Sequence, residues 1–375
     1  MRKRSVYVAI SCLVYDSELE QTVATCLAGA SSGSEIRIGI SFIGYEHEYN
    51  NAMKFLSTYK NVVAKFYPYL ENFGVAKGRN RALQIYAGED YILQVDAHTY
   101  FSPGWDEAFI NALESAENLF KHDKIVISGV PAAYAYQEID WPQGERRWAA
   151  TTFPEKLGYS FWLNRKFVHP GTFPHWSAGE PGKSAGTMPE ASDQELLKRC
   201  QRSGFAPLVK ISAACIFLRG GFAECLTLPE EYIFWEEEII QSIELISKGF
   251  SLVYPYISSP IYHLFTDDID LSFDAGTHIL GDRAAAWAQM ELADVNINDV
   301  TDKMIKNISD YLGDTKNTDK IKRYERYARI NLLTAETDGG IPVAYENLGA
   351  EKNDTGGGGL SRRVCGMIQS GPQVR

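Results

Sequence analysis

Residues 74–106 read GVAKGRNRALQIYAGEDYILQVDAHTYFSPGWD, and the rest of the chain is organised around them. A basic turn flanked by glycines (Lys77, Gly78, Arg79, Arg81) leads into a short helical pattern from Arg81 to Tyr86. The apolar run Tyr91 to Val95 has the composition of a buried strand. It ends in Asp96-Ala97-His98, followed by the aromatic segment Tyr100 to Trp105. Side chains two apart on an extended chain point to the same side, so Asp96 and His98 face one point in space while Ala97 faces away. A carboxylate and an imidazole converging at a strand end suit a divalent cation. Arg79 and Arg81 add planar forks that match phosphate oxygens, beside glycines that let a backbone approach closely. D-x-H alone is weak evidence and reads rather as a surface pair beside an ordinary turn. With the arginines and the buried strand it fits a nucleotide diphosphate, whose charge must be neutralised, the more so as a leaving group.

Towards the N-terminus, Ser5 to Tyr15 reads as a buried strand and Ser17 to Ala30 as a helix with Ser17 as N-cap. Ile36 to Ile43 is a second strand, Glu48 to Tyr59 a helix and Asn61 to Tyr67 a third strand. Strands alternating with helices predict an α/β fold with a mostly parallel, doubly wound sheet. Ligands of such sheets bind beyond the carboxyl ends of the strands. Tyr15-Asp16 after the first strand and Asp96-Ala97-His98 after the fourth share that edge. Asp16 is placed to accept from a base or ribose, and equally to serve as a helix-start acid.

Towards the C-terminus, Trp105 to Lys121 is an amphipathic helix and Lys124 to Gly129 a strand. Periodicity fades from Pro131 to Ser192 while prolines, glycines and tryptophans accumulate, which predicts an irregular insertion or lid at 131–192. Arg146, Arg147, Arg165, Lys166, His169 and His175 make it locally basic. Lys210 to Arg219 is strand-like. Glu236, Glu237 and Glu238 then open a helix that ends near Gly249. Acids there favour the helix dipole, yet Phe234 and Trp235 predict burial, and a buried acid has a job. Phe250 to Tyr256 is a last long strand. His263 emerges from the apolar run Ile261 to Leu264, either as a satisfied core residue or as a third ligand with Asp96 and His98. The predicted division is a main domain over 1–300, a helical extension over 301–344, including Val300 to Leu333, and a glycine-rich flexible tail over 345–375. Arg283 to Leu292 is also read as helical.

The length and 45% hydrophobic content support a large core, and the net charge of −11 gives no global sign of nucleic acid binding. Six scattered cysteines without a C-x-x-C pair read as reduced thiols and predict a cytoplasmic protein. MRKRSVYVAISCLVY imitates a signal peptide. Asp16, Glu18 and Glu20 follow without a small-residue cleavage site, so it is read as the first strand, and no membrane partner is expected.

Several of these segments together resemble the hydroxyproline N-acetylglucosaminyltransferase family of cytoplasmic glycosyltransferases, and more distantly the polypeptide N-acetylgalactosaminyltransferases. The segments are Leu13 to Asp16 with Thr22, the turn Gly74 to Ala82, L-Q-x-D-x-H (Leu93, Gln94, Asp96, His98) and F-x-x-x-W-D (Phe101, Trp105, Asp106). Ala213, Ala214 and Phe217, the glutamate pair, Gly249, Pro255 and His263 follow in order, so the likeness covers roughly residues 5 to 270 with the insertion unmatched. The resemblance implies a GT-A fold, a UDP-sugar donor, a manganese or magnesium ion and retention at the anomeric carbon. It makes Asp96, His98 and His263 metal ligands and gives the nucleotide to Tyr15, Asp16, Arg79 and Arg81. Glu237 and Glu238 approach the sugar or acceptor hydroxyl. Trp235-Glu236 departs from a family Gly-Glu-Glu, and Ala214-Cys215 from Ala-Gly, which leaves the sugar open. The acceptor is either a protein hydroxyl or a 5-hydroxymethylpyrimidine in DNA, whose base would be extruded and stacked on aromatics of the insertion. The competing readings are a D-x-H metallophosphoesterase, with Gly281-Asp282 as a faint second motif, and a catalytically silent nucleotide-sugar-binding module.

Overall fold

The computed structural model describes residues 3–13, 16, 18–68, 74–129, 131–140, 146–152, 157–164, 169–176, 202–233, 236–255, 257, 259–264, 297–328 and 332. The order begins β1 (Arg4–Leu13), α1 (Leu19–Gly29), β2 (Ser34–Gly44), α2 (Glu46–Leu56), β3 (Val62–Pro68), α3 (Val75–Leu83), β4 (Tyr91–Asp96), β5 (Thr99–Phe101). It continues with α4 (Trp105–Phe120), β6 (Ile125–Ser128), β7 (Ala132–Asp140), β8 (Arg146–Thr152), β9 (Leu157–Asn164), β10 (His169–Trp176), β11 (Phe205–Pro207) and β12 (Cys215–Arg219). The last elements are α5 (Glu236–Ser247), β13 (Ser251–Pro255), β14 (Ile261–Leu264), α6 (Ile297–Gly313) and α7 (Thr318–Ala328).

Eight strands form one sheet in the order β11-β13-β6-β12-β4-β1-β2-β3. Its centre is parallel: β1 pairs with both β2 and β4 and β2 pairs with β3, and α1, α2 and α3 connect the strands that follow one another in the chain. β13 is parallel to β6, whereas β12 runs antiparallel to both its neighbours and β11 antiparallel to β13. β1 is buried on both faces, and its alternation divides the core. Val6, Val8, Ile10 and Cys12 pack with α1, α2 and α4; Tyr7 and Ala9 pack with α3 and α5. α6 and α7 lie on the second face through Ile308 and Tyr324, and the Tyr324 hydroxyl donates to the Val209 carbonyl at 2.9 Å. The chain steps from β1 outward to β3 and returns to β4 on the other side of β1. The carboxyl ends of β1 and β4 therefore flank a topological switch point. A smaller sheet, β5-β14-β7-β8, stands beyond the end of β4.

The α/β fold with flanking helices agrees with the sequence reading, and the apolar start is a strand. Four local expectations differ. The basic turn is already helix, since α3 starts at Val75 rather than Arg81. Gly78 serves the packing of that helix on β1: a Cβ there would lie 2.1 Å from Ser11 Oγ, and the Gly78 carbonyl accepts from Ser41 Oγ at 2.7 Å. Of Lys210 to Arg219 only Cys215 onward is a strand of the sheet. The backbone N–H groups of Ile211, Ser212 and Ala213 donate to Ser242 Oγ (3.0 Å), Ser128 Oγ (2.9 Å) and Glu238 Oε1 (2.9 Å), which takes them out of a ladder. The insertion is not irregular throughout: β7 and β8 pair antiparallel, as do β9 and β10, and β14 adds parallel to β7. Tyr15, Ser17, Phe234, Trp235, residues 283–292 and the tail lie outside the described residues. No helix among the described residues is long and apolar enough to cross a membrane. Cys26, Cys215 and Cys225 are free thiols.

Candidate active site

β4 delivers Asp96 to the edge of the switch point, and the turn after it is held from below by α1. Thr22 Oγ1 donates to the Ala97 carbonyl at 2.7 Å and accepts the Thr99 N–H at 2.9 Å. Ala97 is thereby pinned into the core, and Asp96 and His98 are left on the other side of the chain, Asp96 half-buried and His98 buried. His263 arrives on β14, where it stands opposite Thr99 of β5, and the Leu264 N–H donates to the His98 carbonyl at 3.1 Å. Strand pairing thus closes a gap of 165 residues: His98 Nε2 and His263 Nε2 are 2.8 Å apart, and Asp96 Oδ2 lies 3.3 Å from His263 Nε2.

One ligand atom from each of Asp96, His98 and His263 falls within 4.8 Å of the others. Two imidazole nitrogens at this spacing face each other across either a shared proton or a cation. Metal–nitrogen bonds of roughly 2.0–2.1 Å fit that spacing, and a carboxylate with imidazoles is a donor set that divalent ions accept. His98 Nδ1 is 2.8 Å from Asp16 Oδ2, so the Nδ1–H donates to the carboxylate and the Nε2 lone pair turns inward to the cluster. Asp16 Oδ1 accepts the Glu18 N–H at 3.0 Å, which fixes the carboxylate just before α1.

Arg79 occupies the other side of Asp96. Its Nη2 lies 3.3 Å from Asp96 Oδ1, and its Nη1 is in direct contact with the Glu237 carboxylate at the start of α5. Arg79 is only 8% exposed and Glu237 only 2%. Burial alone would raise the Asp96 carboxyl. The hydrogen bond from His263 and the charges of Arg79, His98 and His263 outweigh it and hold the group well below the usual carboxylate range. Arg81 does not join this group. Residues two apart on a helix are about 200° apart in direction, so Arg81 leaves on the opposite side of α3. It pairs with Glu230 at 3.0 Å and lies over the Tyr67 ring at 5.7 Å.

The three glutamates of α5 have separate partners. Glu236 Oε1 accepts the Ile233 N–H at 2.7 Å and Asn307 Nδ2 at 3.1 Å. Glu237 meets Arg79. Glu238 pairs with Lys210 Nζ at 2.8 Å as well as with the Ala213 N–H. Lys210 is buried, and burial pulls its ammonium pKa down further than the charge and hydrogen bond of Glu238 push it up. Lys210 was missed as a site residue, although a single lysine inside the apolar run from Leu208 to Leu218 was a signal. Gln94 ties the same loop to β4 by donating to the Ala213 carbonyl at 3.1 Å. The Trp105-Asp106 part of the motif frames the site from a distance. Trp105 Nε1 donates to the Cys26 carbonyl at 2.9 Å, and Asp106 accepts from Ser31 N–H at 2.9 Å and Ser31 Oγ at 2.6 Å.

The chain whose switch point is built in this way belongs to a glycosyltransferase family. Residues 11–332 match the family model described as Glycosyltransferase (GlcNAc), and the chain belongs to that family. Among solved structures it is similar to one titled "Crystal structure of GalNAc-T7 with UDP, GalNAc and Mn2+", with 13% identity and a TM-score of 0.47. That likeness covers 70% of this chain and 44% of the other, so the chain spans less than half the length of that structure. No curated protein sequence matches it.

Proposed function

We propose that this nucleotide-sugar glycosyltransferase is metal-dependent and retaining, and that it moves N-acetylglucosamine from its UDP conjugate to a hydroxyl on a protein or peptide. The observation that carries the reading is the convergence of Asp96, His98 and His263 at the carboxyl edge of β4, within 4.8 Å of one another. These three side chains would hold a manganese or magnesium ion. When bound there, the ion supplies positive charge for the departing diphosphate. Asp16 keeps the His98 lone pair turned inward; the sequence resemblance gives the nucleotide to Asp16 together with Tyr15. Arg79 aims Asp96. Glu238 is the more exposed of the two assigned glutamates, with 18% side-chain exposure, and faces the small-residue segment Ala213-Ala214, where it would orient the sugar or acceptor hydroxyl. Family membership supports the sugar, and the sequence resemblance supports the acceptor.

The test is a screen of UDP-sugars with manganese against a hydroxyproline peptide and hydroxymethylated DNA, read by mass spectrometry. Addition of one N-acetylhexosamine to the peptide, abolished by EDTA and restored by manganese, is the expected result. Transfer to the DNA alone would replace the acceptor. Donor binding with neither transfer nor slow donor hydrolysis would make the protein a silent binding module, and attack on simple phosphate esters would make it a phosphoesterase.

A further inference from the structure

Glu237 is one of the two acids that the family resemblance assigns to the reacting sugar, and its surroundings point elsewhere. It is almost fully buried, and its carboxylate lies against Arg79. Arg79 therefore stands between two carboxylates: Glu237 on α5, in direct contact, and Asp96 on β4 at 3.3 Å. Asp96 in turn uses Oδ1 for Arg79 and Oδ2 for His263. A guanidinium fork binds a carboxylate most strongly through both oxygens at once. Here it meets only one oxygen of Asp96, because its other edge is held on Glu237. The second oxygen is left for the histidine cluster.

We infer that Glu237 is a positioning residue: it anchors Arg79 so that the arginine steadies Asp96 through Oδ1 without closing over Oδ2, the oxygen that faces His98 and His263. This inference rests on the metal site proposed above. Without the Glu237 charge, Asp96 is the acidic partner left to Arg79 among the described residues, and the guanidinium swings onto both of its oxygens, where it competes with the cation. The arrangement also couples the start of α5 to the end of β4 through a single buried side chain.

The experiment measures manganese binding directly, by the loss of the free-ion electron paramagnetic resonance signal, in the full chain and in Glu237→Gln, Arg79→Gln and the double variant. Supporting groups around a metal typically contribute 10–100-fold in affinity, so Glu237→Gln is expected to weaken manganese binding by about that factor. Because the effect runs through Arg79, the double variant is expected to bind as tightly as Arg79→Gln alone. Transfer by Glu237→Gln is expected to recover when manganese is raised to saturation. The inference is overturned if Glu237→Gln binds manganese like the wild type. It is also overturned if the double variant binds more weakly than Arg79→Gln, or if saturating manganese fails to restore transfer, since Glu237 would then act directly on the ion or the substrate. Should Glu237→Gln fail to fold around a half-paired guanidinium, the comparison of the uncharged double variant with Arg79→Gln decides alone. If the wild type binds no manganese while donor transfer persists, the metal reading itself fails, which is distinct from a wild type that binds the ion with variants that do not differ.

Discussion

Replacing Asp16 separates two roles that one carboxylate at the end of β1 can play. Its Oδ2 is 2.8 Å from His98 Nδ1, and its Oδ1 accepts the Glu18 N–H at 3.0 Å. If its work is to orient His98, then Asp16→Asn keeps an acceptor for the Nδ1–H but loses the charge, and manganese affinity falls by about tenfold. Asp16→Ala loses the acceptor as well and moves towards a hundredfold, the upper end for a group that orients a metal-binding histidine. Tenfold corresponds to about 1.4 kcal/mol and a hundredfold to about 2.7 kcal/mol. The alanine variant also leaves the Glu18 N–H without this partner, a net hydrogen-bond loss of about 0.5–1.5 kcal/mol in unfolding free energy. Titration calorimetry with manganese, then with UDP in the presence and absence of manganese, gives both affinities, and urea unfolding gives the stability. The reasoning is refuted if both variants bind manganese normally while UDP binding without metal weakens. Asp16 would then be a contact to the nucleotide and its approach to His98 incidental.

Gly78→Ala places a methyl 2.1 Å from Ser11 Oγ, so its overpacking cost of about 1–3 kcal/mol should exceed the helix-propensity gain of about 1 kcal/mol. Gly313→Ala, where a Cβ meets nothing within 4 Å, should be neutral or slightly stabilising in the same urea titration. Lys210→Met strands the Glu238 carboxylate beside Ala213. A loss of up to about 3–5 kcal/mol is expected, much of it recovered by adding Glu238→Gln; equal stabilities for the single and double variants would mean the pair is not coupled. Asp106→Ala removes the acceptor of two hydrogen bonds from Ser31, so thermal unfolding should begin earlier while manganese affinity stays unchanged; a weakened site would show that Asp106 does more than frame it.

The chain by itself determined the alternation of strands and helices and the common direction of Asp96 and His98. Both follow from periodicities of two and 3.6 residues that any local segment carries. The local pattern was less able to say where α3 begins, and with it whether Arg79 and Arg81 act together. As a turn they converge, whereas as a helix starting at Val75 they diverge, and the helix is held by distant partners: the Ile233 carbonyl accepts the Val75 N–H at 2.9 Å, Asn80 bonds Leu228, and Gly78 packs on Ser11. The tertiary structure alone decided the partners of the charges. His263 reaches His98 because β14 pairs with β5 in a particular register, and Glu237 and Glu238 find Arg79 and Lys210 because α5 docks its first turn against α3 and the loop before β12. A side chain's direction is a property of its own backbone. What it meets there depends on how distant segments are registered, and no local pattern encodes that.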